Sequence, residues 1–254
     1  MTKRIFIDIE TLPPSEEERE IISREVQATQ QSKKKTATAE DVDEIADQQF
    51  RDLALHAEKG RLLTIGLIIE ENGRLIHRGL LGRDRETGRF HLDETRTLKT
   101  FWQLVQNFDA RYDQIIGHNI FDFDLLFLFK RSVIQNVKPS MDISFRRYQK
   151  HPIFDTMWEW SHWHHRISLH NLANALQIAS PKNEEIGGGN LYDYFQQGRH
   201  TEIAAYCMRD VECTREVYYR LNFLQPPSLI SYTEKMNVSK EIVFQHSMAA
   251  SVAN

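Results

Sequence analysis

The spacing of hydrophobic and polar positions changes along this chain, and each change marks an element. Arg4 to Ile9 is apolar and isoleucine-rich, a short buried strand, and Pro13-Pro14 stops it. Leu62 to Glu70 and Leu75 to Leu81 are two further strand-like runs. Asn72-Gly73 separates them, a dipeptide suited to a two-residue hairpin. Asp93 to Phe108 carries Leu98, Phe101, Trp102 and Val105 at three-and-four spacing, which predicts a helix with one apolar face. Asp113 to Gly117 reads as a short strand, Phe123 to Ser132 as an apolar helix, and Pro152 to Thr156 as a brief strand. Ser168 to Leu176 and Thr201 to Phe223 read as helices. In the last, Cys207, Val211, Thr214, Tyr218 and Leu221 form the stripe expected to face the core. The order β, ββ, α, β, α, β, αα predicts an α/β fold, a mixed sheet with one antiparallel hairpin flanked by helices.

Two segments break the pattern. Ser15 to Glu58 is rich in Glu, Gln, Lys and Ala, with almost no aromatics. Ser15 followed by Glu18 has the form of a capping box, so the segment reads as a helical insertion. Its middle, Lys33-Lys34-Lys35, reads as a solvated loop, with a DNA contact as the alternative. After Pro226-Pro227 the chain is weakly patterned. The organisation expected is one domain over 1–224 with an insertion at 15–59, and a tail at 225–254 whose role the pattern does not give.

Hydrophobic residues make up 41% of the chain, enough for a core and too many for general disorder. The longest apolar run, within Leu62 to Ile69, falls far short of the ~20 residues that span a bilayer. No long apolar stretch follows the basic N-terminus, so no signal peptide and no membrane partner are expected. Cys207 and Cys213 form neither a CxxC pair nor a disulfide framework, which points to a reducing, cytoplasmic setting. The formal charge of −4 gives no general attraction for nucleic acid, so a polyanion would need local basic groups or bound metals.

The acids at the ends of elements carry the chemistry. Asp8 and Glu10 are two apart near the end of the first strand, hence on one face amid isoleucines. Unneutralised acids there are costly, and a divalent cation neutralises them well; a solvated turn is the bland alternative. Asp124 sits in the first turn of an apolar helix, where an acid is expected as a cap in any case. Tyr206 and Asp210 are four apart on one helical face, a spacing common in surface pairs.

Together, Asp8-Ile9-Glu10-Thr11, then Gly117-His118-Asn119 with Phe123-Asp124, then Tyr206-x-x-x-Asp210 resemble the three motifs of the DEDD 3′–5′ exonucleases. The tyrosine resembles the DEDDy branch; the histidine branch would want a histidine where Ala205 stands. The middle motif is similar to that of the proofreading exonuclease of family-B DNA polymerases, and the whole resembles a stand-alone 3′–5′ exonuclease family related to that domain. The resemblance runs from Arg4 to about Leu221. It includes Gly60-Arg61 with Ile65-Gly66, and Ser168-Leu169 with Leu172-Ala173. It departs in the insertion Ser15 to Glu58, which the polymerase domains lack in this form and which bears on substrate geometry.

The resemblance implies a ribonuclease-H-like fold and a nuclease that removes nucleotides from 3′ ends of single-stranded DNA. It implies two ions, Mg²⁺ or Mn²⁺, with Asp8, Glu10 and Asp210 holding one. Asp8 and the scissile phosphate would hold the second, with Asp124 reaching it through water. Tyr206 would orient the attacking water, Thr11 would meet the terminal nucleotide, and Asn119 would lie near the scissile end. Two metals clamp the attacking and leaving oxygens of an in-line displacement, and clustered acids should have raised pKa values until metal binds. An exoribonuclease shares the signature, and a non-catalytic 3′-end-binding or interaction module is the alternative from another class. An accessory role in DNA repair or defence is conceivable from the family's spread, with nothing in the residues to support it.

Several residues remain beside the motifs. Trp158, Trp160, His162, Trp163, His164 and His165, followed by Arg166, read either as a core-facing aromatic helix or as a stacking edge for nucleic acid. A zinc site there lacks a completing cysteine or acid. Arg146, Arg147 and Lys150 form a basic cluster, touching DNA or merely solvated. Asp155 reads as structural first. Gly187-Gly188-Gly189 lacks the Lys-Ser/Thr of a P-loop and reads as a flexible loop.

Overall fold

The computed structural model describes residues 2–32, 39–142, 145–181 and 186–229. Its strands are β1 (Lys3–Leu12), β2 (Arg61–Glu71), β3 (Arg74–Leu81), β4 (Gln114–Gly117) and β5 (Ile153–Asp155). They form one sheet in the order β3-β2-β1-β4-β5. β2 runs antiparallel to both β3 and β1, whereas β4 and β5 run parallel to β1. With helices on both faces, this is the expected mixed α/β sheet of a ribonuclease-H-like exonuclease fold. Asn72 and Gly73 both take positive φ, 50° and 75°, so the β2–β3 hairpin closes on the two residues whose side chains tolerate that backbone.

The alternation along β1 sets up the rest. Ile5, Ile7 and Ile9 point to one face. There they meet Leu98, Phe101 and Trp102 of α3 (Glu94–Leu104) and Leu125 and Leu128 of α4 (Asp124–Ile134). Phe6 points to the other face, against Val211 and Tyr218 of the long helix α8 (His200–Leu221). Asp8 and Glu10 share Phe6's parity and therefore lie under α8. The helix comes close because of a glycine. Gly66 of β2 pairs directly with Asp8, and a Cβ on it would lie 2.7 Å from Val211 Cγ2 and 2.8 Å from Cys207 Sγ.

The insertion is helical, with α1 (Glu16–Ser32), α2 (Ala39–Asp52) and one 3-10 turn at Leu53–Leu55. Phe50 of α2 is fully buried against Tyr192 of α7 (Leu191–Gln196), and Arg51 grips Asp193 through two hydrogen bonds of 3.0 and 2.7 Å. Leu12 of β1 and Tyr206 of α8 border the same apolar cluster, so the insertion braces the end of β1.

Some boundaries differ from the sequence expectation. α3 stops at Leu104 rather than Phe108, although Val105 stays buried. β4 starts at Gln114 because the Asp113 carboxylate accepts the N–H groups of Lys3, at 2.7 Å, and of Asp109, at 2.9 Å. α5 (Thr156–Ser161) and α7 span six residues each, too few to display a helical period. α6 (Leu169–Ala175) is capped by Ser168, which accepts from Asn171 N at 3.2 Å. The run Lys33 to Lys35 and the tail from 230 onward lie outside the described residues.

Candidate active site

The site forms where β4 ends and β1 continues. β4 pairs with β1 only through Arg4, Ile5 and Phe6. Past that point the Ile9 N–H has no strand partner on that side, and the Asp124 carboxylate accepts it at 3.1 Å. Asp124 stands in the first turn of α4, where the helix dipole favours a negative charge. The pairing of β1 with β2 slips between Glu10 and Thr11, a bulge that re-aims the side chains at the strand end. From α8, the Tyr206 hydroxyl is hydrogen-bonded to Asp210. Ligand-type atoms of Asp8, Glu10 and Cys207 lie within 4.8 Å of one another. Asp8, Glu10, Asp124 and Asp210 are thus brought together from three elements distant in sequence.

The electrostatics follow from this crowding. Burial, then the charges of Asp210, Asp124 and Glu10, pushes the Asp8 carboxyl well above the usual range. Glu10 is raised by burial and then by Asp210 and Asp124. Burial lifts Asp124 to about 7 even though its own N–H and that of Ile9 hold it down. The Tyr206 phenol is raised by burial and by the neighbouring acids, so it stays protonated. The largest influences on Asp8, Glu10 and Asp124 are burial, neighbouring acids and hydrogen bonds, with no lysine or arginine among them.

Asp155 adjoins the cluster but is spent on structure. Its carboxylate accepts from the backbone N–H of Asn119 (3.0 Å), Phe121 (3.3 Å), Met157 (3.0 Å) and Trp158 (3.3 Å), tying the loop after β4 to the start of α5. Burial raises it to about 6 against those four bonds. His118 is fixed as well: Nε2 pairs with the Ile167 carbonyl and Nδ1 with the Thr156 hydroxyl, each at 2.9 Å. Burial pushes His118 down to about 4, so it is neutral near pH 7.

The donor set fits divalent cations. Asp8, Glu10, Asp124 and Asp210 offer hard oxygen ligands, and the Glu10 Oε1 atom is buried without a hydrogen-bond partner. Cys207 does not belong with them. Its Sγ approaches the Asp8 carboxylate at 3.8 Å, but burial raises the thiol well above its ordinary pKa, so it remains a neutral S–H.

A family model of predicted 3′–5′ exonucleases related to the exonuclease domain of PolB matches residues 54–252. The chain belongs to this family. No curated protein matches the chain. The matched span contains Asp124, Tyr206 and Asp210, whereas Asp8 and Glu10 precede it. The pairing of β1 with β2 and β4 returns those two acids to the exonuclease region. Members of this nuclease family act on nucleic acid, and domains like that of PolB use divalent metals.

The remaining candidates separate clearly. Thr11 sits at the bulge, one residue past Glu10, partly buried. Asn119 takes φ 64°, and its side-chain oxygen is buried without a partner. Trp158 is core, as the packing expectation holds, but Trp160 is exposed. Arg147 binds Asp122, and Lys150 binds Glu159 at 3.0 Å, so both have protein partners. In the sequence Cys207 reads only as core, and Asp155 as structural first. That Cys207 abuts Asp8 depends on Gly66, a contact between β2 and α8 with no local signature.

Proposed function

We propose that the chain hydrolyses nucleotides from the 3′ end of single-stranded DNA as a DEDDy-type exonuclease. Asp8, Glu10, Asp124 and Asp210 would hold two Mg²⁺ or Mn²⁺ ions. The reading is supported by one observation above all: four carboxylates from β1, α4 and α8 converge with Tyr206, and burial and one another's charge are what raise Asp8, Glu10 and Asp124. When bound, the cations neutralise phosphate charge and lower the pKa of a bound water. The protein's own groups do the positioning. Tyr206, protonated and donating to Asp210, keeps lone pairs for the proton of an attacking water and so orients it. Asn119 offers an unpaired amide oxygen, and Thr11 a hydroxyl, to the terminal nucleotide. Asp155 holds the Asn119 backbone N–H, and His118 ties the preceding residue to Thr156 and Ile167, neither titrating near pH 7.5. A base must leave its partner to enter so enclosed a site, which favours single strands.

The test is a single DNA strand labelled at its 5′ end, incubated with Mg²⁺. Stepwise shortening from the 3′ end, abolished by EDTA, is the expected result. Full activity in excess chelator, or cuts in a closed single-stranded circle, would overturn the reading. A matched RNA strand is the second arm; loss of RNA with DNA intact would make the protein an exoribonuclease.

A further inference from the structure

The aromatic and basic segment beside the acids has no part in the chemistry above, yet it is built in order. Trp158 and Trp163 lie parallel, ring centroids 5.2 Å apart and planes within 4°. Tyr148 rests on Trp163 at 4.7 Å. The guanidiniums of Arg147 and Arg166 lie 6.0 Å from the ring centroids of Trp163 and Trp158 respectively. Asp122 holds both arginines, Arg166 at 3.1 Å and Arg147 through its other oxygen. Two cations on one carboxylate leave the pile with positive charge to spare. Its place is fixed too. Asp122 is two residues before Asp124, and Phe121, whose ring meets Trp163 at 5.6 Å, is tied to Asp155 by its N–H. The pile therefore flanks the N-terminal end of α4, next to the acid cluster.

Its inner members are packed, but its outermost is not. Tyr148 is 77% exposed and stands at φ 64°, a backbone conformation uncommon for a residue with a side chain. A tyrosine offered outward from a tryptophan, with guanidiniums beside it, presents an open π-face next to phosphate-binding charge. Every nucleobase has a face that suits it, and the phosphates on either side suit the arginines.

We propose that Tyr148, backed by Trp163 and flanked by Arg147 and Arg166, is a stacking ledge for a base of the single strand upstream of the 3′ end held at the acids. The proposal rests on the exonuclease reading and extends it to the strand that remains. The ledge reads no sequence, because stacking tolerates any base. It lengthens the grip on the strand without touching the scissile bond.

The experiment measures binding apart from cleavage. Fluorescence anisotropy in EDTA follows a 5′-labelled 20-nucleotide oligo-dT strand, with oligo-rU as a parallel arm that distinguishes the sugars. On the more tightly bound strand, Tyr148→Ala is expected to raise Kd roughly 5- to 10-fold, the low end of what one base–aromatic contact contributes, since the contact is tilted. Tyr148→Phe keeps the ring and should bind like the parent. Tyr112→Ala, which removes another exposed tyrosine, 57% accessible and placed before β4 outside the pile, should also bind like the parent. The exposure of Tyr148 makes misfolding of its variants easy to exclude by circular dichroism. Unchanged Kd for Tyr148→Ala, with the parent still degrading strands, overturns the ledge alone. A parent that neither binds nor degrades a strand overturns the ledge and the exonuclease reading together.

Discussion

At the scale of single residues, Tyr206 and Asp210 share one helical face but should fail differently. Asp210→Asn removes a charged oxygen ligand that the remaining acids cannot replace geometrically, so activity should fall below detection. Tyr206→Phe leaves the ring in its apolar cluster and deletes one hydroxyl. Groups of that kind contribute ~10²–10⁴-fold, so with metals supplying most of the activation a loss of roughly 10- to 100-fold is expected. A Mg²⁺ titration of both variants on one labelled strand checks this; parental activity in Tyr206→Phe would make the tyrosine a packing residue. Glu10 gives an opposite pairing of effects. Its carboxyl is buried, raised by Asp210 and Asp124, and has one oxygen without a partner. Glu10→Gln should abolish activity while stabilising the metal-free protein by about 1 kcal/mol, because it removes repulsion the fold otherwise bears. Thermal melts in EDTA should show the variant about 2–4 °C above the parent.

At the scale of elements, the distance between β2 and α8 governs the site. Gly66 faces Asp8 in the ladder, and α8 lies directly over it. A methyl group there must push Cys207 and Val211 outward, and Tyr206 and Asp210 travel on the same helix. Gly66→Ala should cost about 1–3 kcal/mol of stability by overpacking. Its effect on turnover should be larger, roughly 100-fold, because a displacement of about 1 Å in catalytic groups is enough for that. Urea unfolding together with a rate assay separates the two, and equal activity would show that α8 absorbs the methyl without moving its acids. The insertion acts at this scale as well. Phe50 fills the cluster that Leu12 and Tyr206 border, so the insertion braces the site from outside it.

At the scale of the whole molecule, the clustered acids couple folding to pH and to metal. Asp155 and Asp124 are raised from 3.8 to about 6 and about 7. A carboxyl raised on folding binds more protons in the native than in the unfolded state between the two pKa values. Stability from these groups is therefore greatest below about 4 and falls as pH rises toward 7. In EDTA the melting temperature should decline across that window. Mg²⁺ at pH 7.5 should restore several degrees, since it binds only the folded arrangement. A flat profile in EDTA, or no shift with Mg²⁺, would contradict the view that the cluster is held together against its own charge.

What the sequence determined by itself is whatever depends on neighbours along the chain. The alternation in β1 put Asp8 and Glu10 on one face, Asn72-Gly73 closed a hairpin, and the spacing of four put Tyr206 and Asp210 on one side of α8. The three motifs, taken in order, resembled the exonuclease family to which the chain belongs. The short helices α5 and α7 were illegible because six residues show no period. The tertiary structure alone decided that β4 stops early and leaves the Ile9 N–H to Asp124, and that Gly66 admits α8 close enough to set Cys207 beside Asp8. It also made Asp155 an anchor for four backbone N–H groups and set the tilted ring of Tyr148 against Trp163. Each of these joins residues far apart in sequence, through packing and hydrogen bonds that exist only once the sheet and its covering helices have assembled.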